Sequence, residues 1–342
     1  MLVSLLTRGA PEQLTGGYLY HLRVATLAPL HGAQVEFVPV RASFNPFARA
    51  SGDIVLIDSI AAAAVAPWAR DPRPMAAIIH QRPGGIDHGW PRRAMQAPLD
   101  RALYRRCELL IAASDALGEE LVAAPHNLSP ERVRVVPPGS DVAPLHRTPA
   151  LDLRRGRRAA FISVGNWVAR KGTLELLAAF SELADDRATL HLAGRDDVER
   201  RYGARVHARL AAPDLVDRVV YHGAVSREDV ARLYAGGDAF VLPSYQEPYG
   251  TVYGEALAAG LPVVGWRAGN LPNLADDGVE AVIVPPGDIA ALAKGMDRLA
   301  TDDAWRDRLA AGAARRGARL PTWSEVARMF FGLLEEMAIG AR

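Results

Sequence analysis

Short apolar runs alternate with amphipathic segments along the 342-residue chain, and this pattern constrains the fold more than any other feature. It predicts repeated strand–helix units in a mostly parallel sheet, because parallel strands need helix-sized crossovers between them. Six candidate strands precede the middle of the chain and six follow it. They cover residues 2–7, 35–40, 54–57, 76–80, 109–113 and 133–136, then 160–164, 189–193, 219–221, 239–242, 262–265 and 281–284.

Between the two sets of strands lies a segment rich in proline, glycine and arginine, residues 137–158. Because it has no helical period, we interpret it as the hinge between two Rossmann-like α/β domains. The predicted domains are residues 1–148 and 149–321.

The last segment, residues 322–342, begins with a helix-capping pattern. Thr322 is followed three residues later by Glu325, so each side chain can bond to the backbone N–H of the other. Apolar residues then recur on one stripe. We therefore expect a final helix, which we predict crosses back and completes the first domain.

Composition excludes several classes of protein. Hydrophobic residues make up 49% of the chain, and the net charge is +1, from 40 basic and 39 acidic residues. A nucleic-acid-binding protein would show a basic excess. One cysteine, Cys107, excludes an intramolecular disulfide and fits a buried thiol in a reducing, cytoplasmic compartment. The longest apolar run, residues 60–69, is too short to span a membrane, and the first residues fit a core strand better than a signal peptide.

Loops after the strands are where open parallel sheets bind ligands. In the first half, Gly16 and Gly17 precede a predicted helix, where their backbone could approach a ligand closely. His80 ends the fourth predicted strand. A plain turn and a structural histidine remain open alternatives for these positions.

In the second half, the loop from Gly165 to Thr173 carries two adjacent cations, Arg170 and Lys171, just before a predicted helix. Cations oppose the dipole at a helix N-terminus unless an anion lies near them. A phosphate would resolve this conflict, and a solvated pair of charges is the alternative.

Two glutamates flank a glycine-containing turn further along the chain. Glu247 precedes a proline and therefore lies in the loop, whereas Glu255 lies one turn inside a predicted helix with Thr251 as its N-cap. Free amides at Gly250, Thr251 and Val252 suit a diphosphate. The glutamates would then accept hydrogen bonds from hydroxyls on either side of it, although surface charges are the alternative.

These residues resemble a known family. Glu247 and Glu255, with the Pro-Tyr-Gly turn between them and the run to Val264 after them, resemble the E-x7-E signature of glycosyltransferase family 4. Lys171-Gly172 resembles the phosphate-binding segment of that family. The resemblance implies a retaining, nucleotide-sugar-dependent glycosyltransferase of the GT-B fold, with two Rossmann-like parallel-sheet domains facing a cleft. It covers nearly the whole chain and is strong from about Gly165 onward.

The resemblance also implies roles for the residues. Glu255 would bind the ribose, Glu247 the donor sugar, and Lys171 the diphosphate. His80 would lie near the reaction centre. The remaining donor-binding residues would be Gly16, Gly17, Asn166, Arg170, Arg195, Tyr249, Gly250, Thr251 and Val252. No metal or cofactor is expected, because Lys171 and a helix N-terminus would stabilise the leaving phosphate.

Two positions depart from the family pattern. The family often has an arginine where this chain has Asn166, so either Arg170 supplies that charge or the leaving group is held with one cation fewer. An acidic residue is common where this chain has Gln81. A catalytically degenerate nucleotide-sugar-binding subunit and a nucleotide-sugar epimerase on the same fold are therefore alternatives. A Rossmann dehydrogenase is not, because the sequence lacks a G-x-G-x-x-G turn.

One basic segment raises the question of a membrane surface. Residues 91–106 contain five arginines against one aspartate. Such a face could dock on anionic lipid at the inner side of a membrane if the acceptor is a lipid, and a solvated helix face is the alternative. The acceptor hydroxyl itself could belong to a glycan, a lipid or a small molecule.

Overall fold

The computed structural model describes residues 1–8, 16–40, 45–86, 89–140 and 151–340. The chain folds into two compact units. They are Met1–Gly139 together with Pro321–Arg342, and Ser140–Leu320. The division lies inside the segment that we interpreted as the hinge, nine residues before the predicted boundary at residue 148. Residues 141–150 of that segment lie outside the described residues.

Each unit contains one six-stranded sheet in which every neighbouring pair of strands is parallel. The first sheet comprises β1 Leu2–Thr7, β2 Gln34–Pro39, β3 Ile54–Asp58, β4 Met75–Ile79, β5 Leu109–Ala112 and β6 Val133–Val135. The second comprises β7 Ala159–Val164, β8 Ala188–Ala193, β9 Val219–Tyr221, β10 Ala239–Val241, β11 Val263–Trp266 and β12 Ala281–Val284.

Helices connect the strands. They are α1 Gly16–Leu27, α2 Ala62–Val65, α3 Trp90–Tyr104, α4 Asp115–Val122, α5 Thr173–Ser181, α6 Arg200–Leu210, α7 Arg227–Gly236, α8 Thr251–Ala258, α9 Leu271–Leu274, α10 Ile289–Thr301, α11 Asp303–Gly317 and α12 Trp323–Gly340. Short 3-10 turns lie at Ala28–His31, Pro46–Arg49, Ala66–Trp68, Pro130–Arg132 and Ala169–Lys171. Among the described helices, none is both long and apolar enough to cross a membrane.

All twelve predicted strands are present, and each end lies within one residue of its prediction. The accuracy has a physical cause. Strands such as β3 and β4 are buried along their whole length, so both faces need apolar side chains and the run is nearly continuous. Cys107 is also fully buried, as predicted.

The last helix, α12, packs in the first unit. Trp323 and Phe330 join a buried cluster with Tyr20 of α1 and residues of β1, β3 and β4. The predicted capping box is formed, because the Thr322 N–H donates to Glu325 Oε2 at 2.8 Å and the Glu325 N–H donates to Thr322 Oγ1 at 3.3 Å. The end of the chain thus covers one face of the first sheet.

The order of strands places a switch point in each sheet. The first sheet runs β2-β1-β3-β4-β5-β6, so the chain winds away from β1 in both directions. The second runs β12-β11-β10-β7-β8-β9, with the reversal between β7 and β10. Connections leave the sheet on opposite sides at such a point, which opens a crevice at the carboxyl ends of the two strands. The loops after β1, β3, β7 and β10 are therefore the places for a ligand.

Candidate functional site

At the switch point of the second sheet, the loops after β7 and β10 bring Lys171 and Glu247 together. The Lys171 ammonium forms an ion pair with Glu247 Oε2, across 76 residues of sequence. Both residues are buried, with exposed fractions of 9% and 8%. Sequence reasoning predicted an anion beside Lys171, and in this structure the chain itself supplies one. Glu247 is therefore not a surface charge.

Arg170 adds a second cation to this pair. Its Nη1 lies 3.8 Å from Glu247 Oε2 and donates to the carbonyl of Gln246 at 3.0 Å. Its own carbonyl accepts the Tyr245 N–H at 2.8 Å, which ties the two loops together. Two cations and one carboxylate therefore lie together in one largely buried site.

Two glycines allow the loops to come so close. Gly172 has φ of 69°, and a Cβ atom there would lie 2.2 Å from the carbonyl oxygen of Pro243. Gly269 has φ of 57°, and its Cβ would lie 2.7 Å from the backbone N and O of Glu247. Only glycine combines a left-handed φ with this lack of space. The Asn270 N–H also donates to the Glu247 carbonyl at 3.0 Å, so the backbone of Glu247 is firmly placed.

The N-terminus of α8 follows three residues after Glu247. The N-cap is Gly250, with φ of 71°, and not Thr251 as predicted, because the chain enters the helix through a left-handed turn that threonine adopts poorly. Thr251 is the first helical residue. Its buried Oγ1 has no hydrogen-bond partner among the residues that the structure describes, and the first amides of α8, including that of Val252, have no partner inside the helix. This end of α8 suits an anion.

Glu255 lies inside α8, as predicted. The buried Tyr234 hydroxyl of α7 donates to Glu255 Oε2 at 3.3 Å, and Glu255 itself is partly exposed. Tyr249 contributes its carbonyl to the side-chain amide of Asn270 at 3.1 Å. These contacts fix the turn between the two glutamates.

The structure joins Asn166 and Arg195 at the carboxyl ends of β7 and β8. Asn166 Oδ1 accepts the backbone N–H of Arg195 at 3.1 Å, and the Arg195 side chain pairs with Asp197 at 2.9 Å in solvent. Gly194 directly follows β8, and a Cβ atom there would lie 2.1 Å from the carbonyl oxygen of Gly165. Asn166 thus shapes a loop in this structure and provides no cation.

In the first unit, Gly16 and Gly17 are the first two residues of α1 and do not lie in a loop before it. Their amides remain without an intrahelical partner, as at any helix start, so a role in ligand contact still fits them. Residues 9–15 of the same loop lie outside the described residues. The Ser114 hydroxyl oxygen accepts the Leu117 N–H at 3.2 Å and caps α4.

His80 follows β4 and is buried against two other rings. The ring centroid of His21 is 4.8 Å away and that of Tyr20 is 5.4 Å away. Burial, together with the nearby His21 ring, lowers the pKa of His80 to about 3. His80 is therefore a neutral imidazole at physiological pH, which suits a hydrogen-bonding role and not that of a fixed cation.

Sequence reasoning missed two residues that lie beside His80. They are His21 and Asp58. Asp58 ends the buried strand β3, and its Oδ2 lies 3.2 Å from His21 Nε2 and accepts the Thr7 hydroxyl at 3.0 Å. Burial acts to raise the pKa of Asp58, but the neighbouring imidazoles and the Ile60 N–H hold it at about 2. The sequence feature that could have identified Asp58 is an acidic residue at the end of an apolar strand.

His21, Asp58 and His80 form the one cluster of metal-ligand type among the described residues, with ligand atoms within 4.8 Å of one another. Two imidazoles and a carboxylate are ligands that zinc accepts. However, both carboxylate oxygens of Asp58 already accept hydrogen bonds, from the Thr7 hydroxyl and the Ile60 N–H. The charge of the buried acid is thus compensated by the protein itself.

Two family models match the chain. The model described as "Glycosyl transferases group 1" matches residues 158–302, which include Lys171, Glu247 and Glu255. The model described as "Glycosyltransferase Family 4" matches residues 3–143, which include His80. Together they cover most of both units.

Two curated proteins are similar to this chain along about two thirds of its length. A mannosylfructose-phosphate synthase of Agrobacterium fabrum is 29% identical over 68% of this chain and 54% of its own length. A D-inositol 3-phosphate glycosyltransferase of a Nocardioides species is 30% identical over 70% and 56%. The chain thus spans about half the length of these relatives.

Two solved structures share the fold. Sucrose-phosphate synthase from Thermosynechococcus elongatus has a TM-score of 0.85 at 19% identity, over 99% of both chains. The Anabaena protein HepE in complex with UDP-glucose has a TM-score of 0.80 at 20% identity, over 98% of this chain and all of its own. The predicted α/β fold with two Rossmann-like units, the GT-B type, is confirmed.

Proposed function

Since this chain belongs to glycosyltransferase family 4, we propose that it transfers a hexose-type sugar from a nucleoside-diphosphate sugar to an acceptor hydroxyl, with retention of the anomeric configuration. One observation carries the proposal: Lys171 and Glu247 are buried together at the switch point of the second sheet. Glu247 lies three residues before Gly250, the N-cap of α8. A cation and free amides for a diphosphate thus adjoin a carboxylate for sugar hydroxyls.

In the proposed reaction, the bond between the sugar C1 and the β-phosphate oxygen breaks, and negative charge grows on the leaving diphosphate. Lys171, Arg170 and the amides at the start of α8 would stabilise that charge. Arg170 would supply the cation that Asn166 does not provide, because its guanidinium already lies beside Glu247. This arrangement requires no metal ion.

A bond from the acceptor oxygen to C1 forms on the face that the diphosphate leaves, and the acceptor proton passes to a leaving phosphate oxygen. Glu247 is poorly suited to act as a covalent nucleophile, because its carboxylate is engaged by Lys171. Neutral His80 would contact the sugar near the reaction centre, and Gly16 and Gly17 would lie near the phosphate and acceptor. This part of the mechanism rests on analogy with the family.

A binding subunit without catalysis and a nucleotide-sugar epimerase predict different behaviour from a transferase. The former would bind the donor without turnover, and the latter would turn it over without an acceptor. HepE is solved with UDP and with UDP-glucose, which makes UDP the first nucleotide to test.

The test of the proposed donor is thermal denaturation with UDP, GDP, ADP, TDP and NAD. We expect one nucleoside diphosphate to raise the melting temperature by roughly 5–10 °C at about 100 times its Kd. Lys171→Ala and Glu255→Ala should each abolish most of this shift, because they remove the proposed diphosphate and ribose contacts. Stabilisation by NAD alone, or by none of the five, would contradict the proposal.

Exposed apolar side chains on α3 support a peripheral contact with anionic lipid. Trp90, Met95 and Leu99 are 75%, 74% and 44% exposed. Exposed arginines accompany them at Arg92, Arg105 and Arg106. Apolar side chains can enter the interface while arginines contact phosphate headgroups, so the proposed acceptor would be presented at a membrane surface.

Liposome co-sedimentation tests this contact. We expect binding to vesicles with phosphatidylglycerol and little binding to phosphatidylcholine alone. Met95→Asp should lower the partition coefficient about tenfold, since burial of a methionine side chain contributes about 1.5 kcal/mol or more and a new acid repels the surface. Leu30→Asp is the matched control, because Leu30 is 76% exposed but lies outside α3. Equal binding to vesicles with and without phosphatidylglycerol would contradict the proposed contact.

A further inference from the structure

The Lys171–Glu247 pair joins two groups that the proposed function assigns to different parts of the donor. Lys171 would bind the diphosphate, and Glu247 would accept hydrogen bonds from sugar hydroxyls. In this structure each is the other's partner, in a site where both are at least nine-tenths buried. A ligand that engages Lys171 must therefore compete with, or share, the carboxylate of Glu247.

The Glu247 carboxylate has contacts besides Lys171, since its Oε2 lies 3.8 Å from Arg170 Nη1 and accepts the Ser244 hydroxyl at 3.5 Å. The Glu247 backbone is held by the Asn270 N–H at 3.0 Å and by Gly269, which has no room for a side chain against it. Lysine has a four-carbon stem and a single compact charge, so the ammonium can turn toward a phosphate with little rearrangement. We therefore expect the Glu247 carboxylate to keep its place when a ligand draws the Lys171 ammonium away.

A bare nucleoside diphosphate would meet this charge without compensation. Its phosphates would share Lys171 with Glu247 and be repelled by the carboxylate in a site of low dielectric constant. The intact nucleotide sugar differs, because its hydroxyls can donate hydrogen bonds to Glu247 and so replace what Lys171 gives up. Charge-assisted hydrogen bonds of this kind are among the stronger ones in proteins.

We propose that Glu247 is a specificity-determining residue, whose carboxylate makes the site favour the intact nucleotide sugar over the nucleoside diphosphate that the reaction releases. The inference rests on the proposed function and adds discrimination between substrate and product to it. Arg170 places a second cation beside the pair, with its Nη1 3.8 Å from Glu247 Oε2. The diphosphate is thus held well enough for reaction and weakly enough to leave.

The experiment is calorimetric titration of Glu247→Gln and the unmodified protein with UDP and with UDP-glucose. GDP with GDP-mannose and ADP with ADP-glucose are the parallel pairs. Glutamine keeps the shape and removes the charge. We expect the Kd for the diphosphate to fall about tenfold, and more at low salt, because Lys171 loses its competitor. The Kd for the nucleotide sugar should stay the same or rise, because its hydroxyls lose a charged acceptor, so the ratio of the diphosphate Kd to the nucleotide-sugar Kd should fall at least about tenfold.

Glu255→Gln is the matched control. It changes the other glutamate of the site, which would contact the ribose in both ligands, so it should weaken diphosphate and nucleotide sugar by the same factor. A purely structural role for Glu247 would also weaken both ligands. Only the proposed role makes the diphosphate bind more tightly when a carboxylate is lost.

The outcomes separate this inference from the proposed function. If the unmodified protein binds a diphosphate and Glu247→Gln binds it no more tightly, the inference is wrong and the donor site stands. If neither protein binds any of the ligands, the proposed function fails and the inference fails with it. Glu247→Ala, with no side chain to clash, replaces Glu247→Gln if the latter does not fold. If neither variant folds, Glu247 is a structural residue and the inference is overturned.

Discussion

Replacement of Lys171 by alanine is expected to lower the turnover of the donor by about 10²- to 10³-fold. Removal of one preorganised donor from a site that stabilises a developing anion typically costs a factor of this size. The expected loss is large here because Lys171 is buried and shares its site with the carboxylate of Glu247. Without the ammonium, that carboxylate repels the departing diphosphate.

The measurement is the release of nucleoside diphosphate from the nucleotide sugar selected by the thermal panel. Slow hydrolysis by water provides the signal in the absence of an acceptor. Lys294→Ala is the matched control, because Lys171 and Lys294 are the two lysines of the sequence and Lys294 is exposed on α10. This control should keep full turnover. Lys171→Arg should lie in between, since it retains the charge on a planar and bulkier group.

A folding defect must be separated from a chemical one in this experiment. Lys171→Ala leaves the Glu247 carboxylate without its ammonium partner, and Arg170 Nη1 lies 3.8 Å away. A buried charge that loses its partner destabilises a protein. Melting temperatures of the variants therefore accompany the rates. A folded Lys171→Ala protein with more than about a third of normal turnover would show that the ammonium does not stabilise the leaving group.

The strands could be predicted from the sequence because their cause is local. A strand buried on both faces reads as an apolar run, as in β1, whose predicted bounds are those of the structure. The partly buried edge strands β9 and β12 also have their predicted bounds. Helix ends depend on finer geometry. Threonine is a favoured N-cap residue, yet Gly250 and not Thr251 caps α8. Only glycine fits the left-handed turn against Leu274 and Tyr253.

The pairing within the site could not be predicted, because its cause is the topology of the sheet. Lys171 and Glu247 are 76 residues apart, and they meet because β7 and β10 are neighbours. The sequence suggested that an anion belongs beside Arg170 and Lys171, but a phosphate and a carboxylate satisfy that requirement equally. His21 and Asp58 were missed for the same reason, since α1 and β3 converge on His80 only in the folded unit.

The largest expected loss of stability comes from Gly172→Ala, at about 3–4 kcal/mol in the free energy of unfolding of the second unit. Two effects add. A left-handed φ of 69° costs alanine about 1 kcal/mol relative to glycine. The new Cβ would also lie 2.2 Å from the carbonyl oxygen of Pro243, where backbone and not a flexible side chain must move, which costs about 2–3 kcal/mol more.

Gly223→Ala separates the two effects. Gly223 has φ of 71°, and a Cβ there meets no atom within 4 Å, so this variant carries the conformational cost alone. It should lose about 1 kcal/mol. Both variants are compared by urea unfolding of the full chain, followed by hydrogen exchange of peptides from β7 and β10, which report on the second unit.

The contact between Gly172 and Pro243 links stability to the site. Gly172 directly follows Lys171, and Pro243 lies in the loop that leads to Glu247, so one close backbone approach sets the distance between the two charged side chains. Gly172→Ala must push the loops apart to relieve the overlap, and it should therefore weaken diphosphate binding even where the unit remains folded. If Gly172→Ala is no less stable than Gly223→Ala, the loops are not held together at this point, and the placement of Lys171 against Glu247 needs another cause.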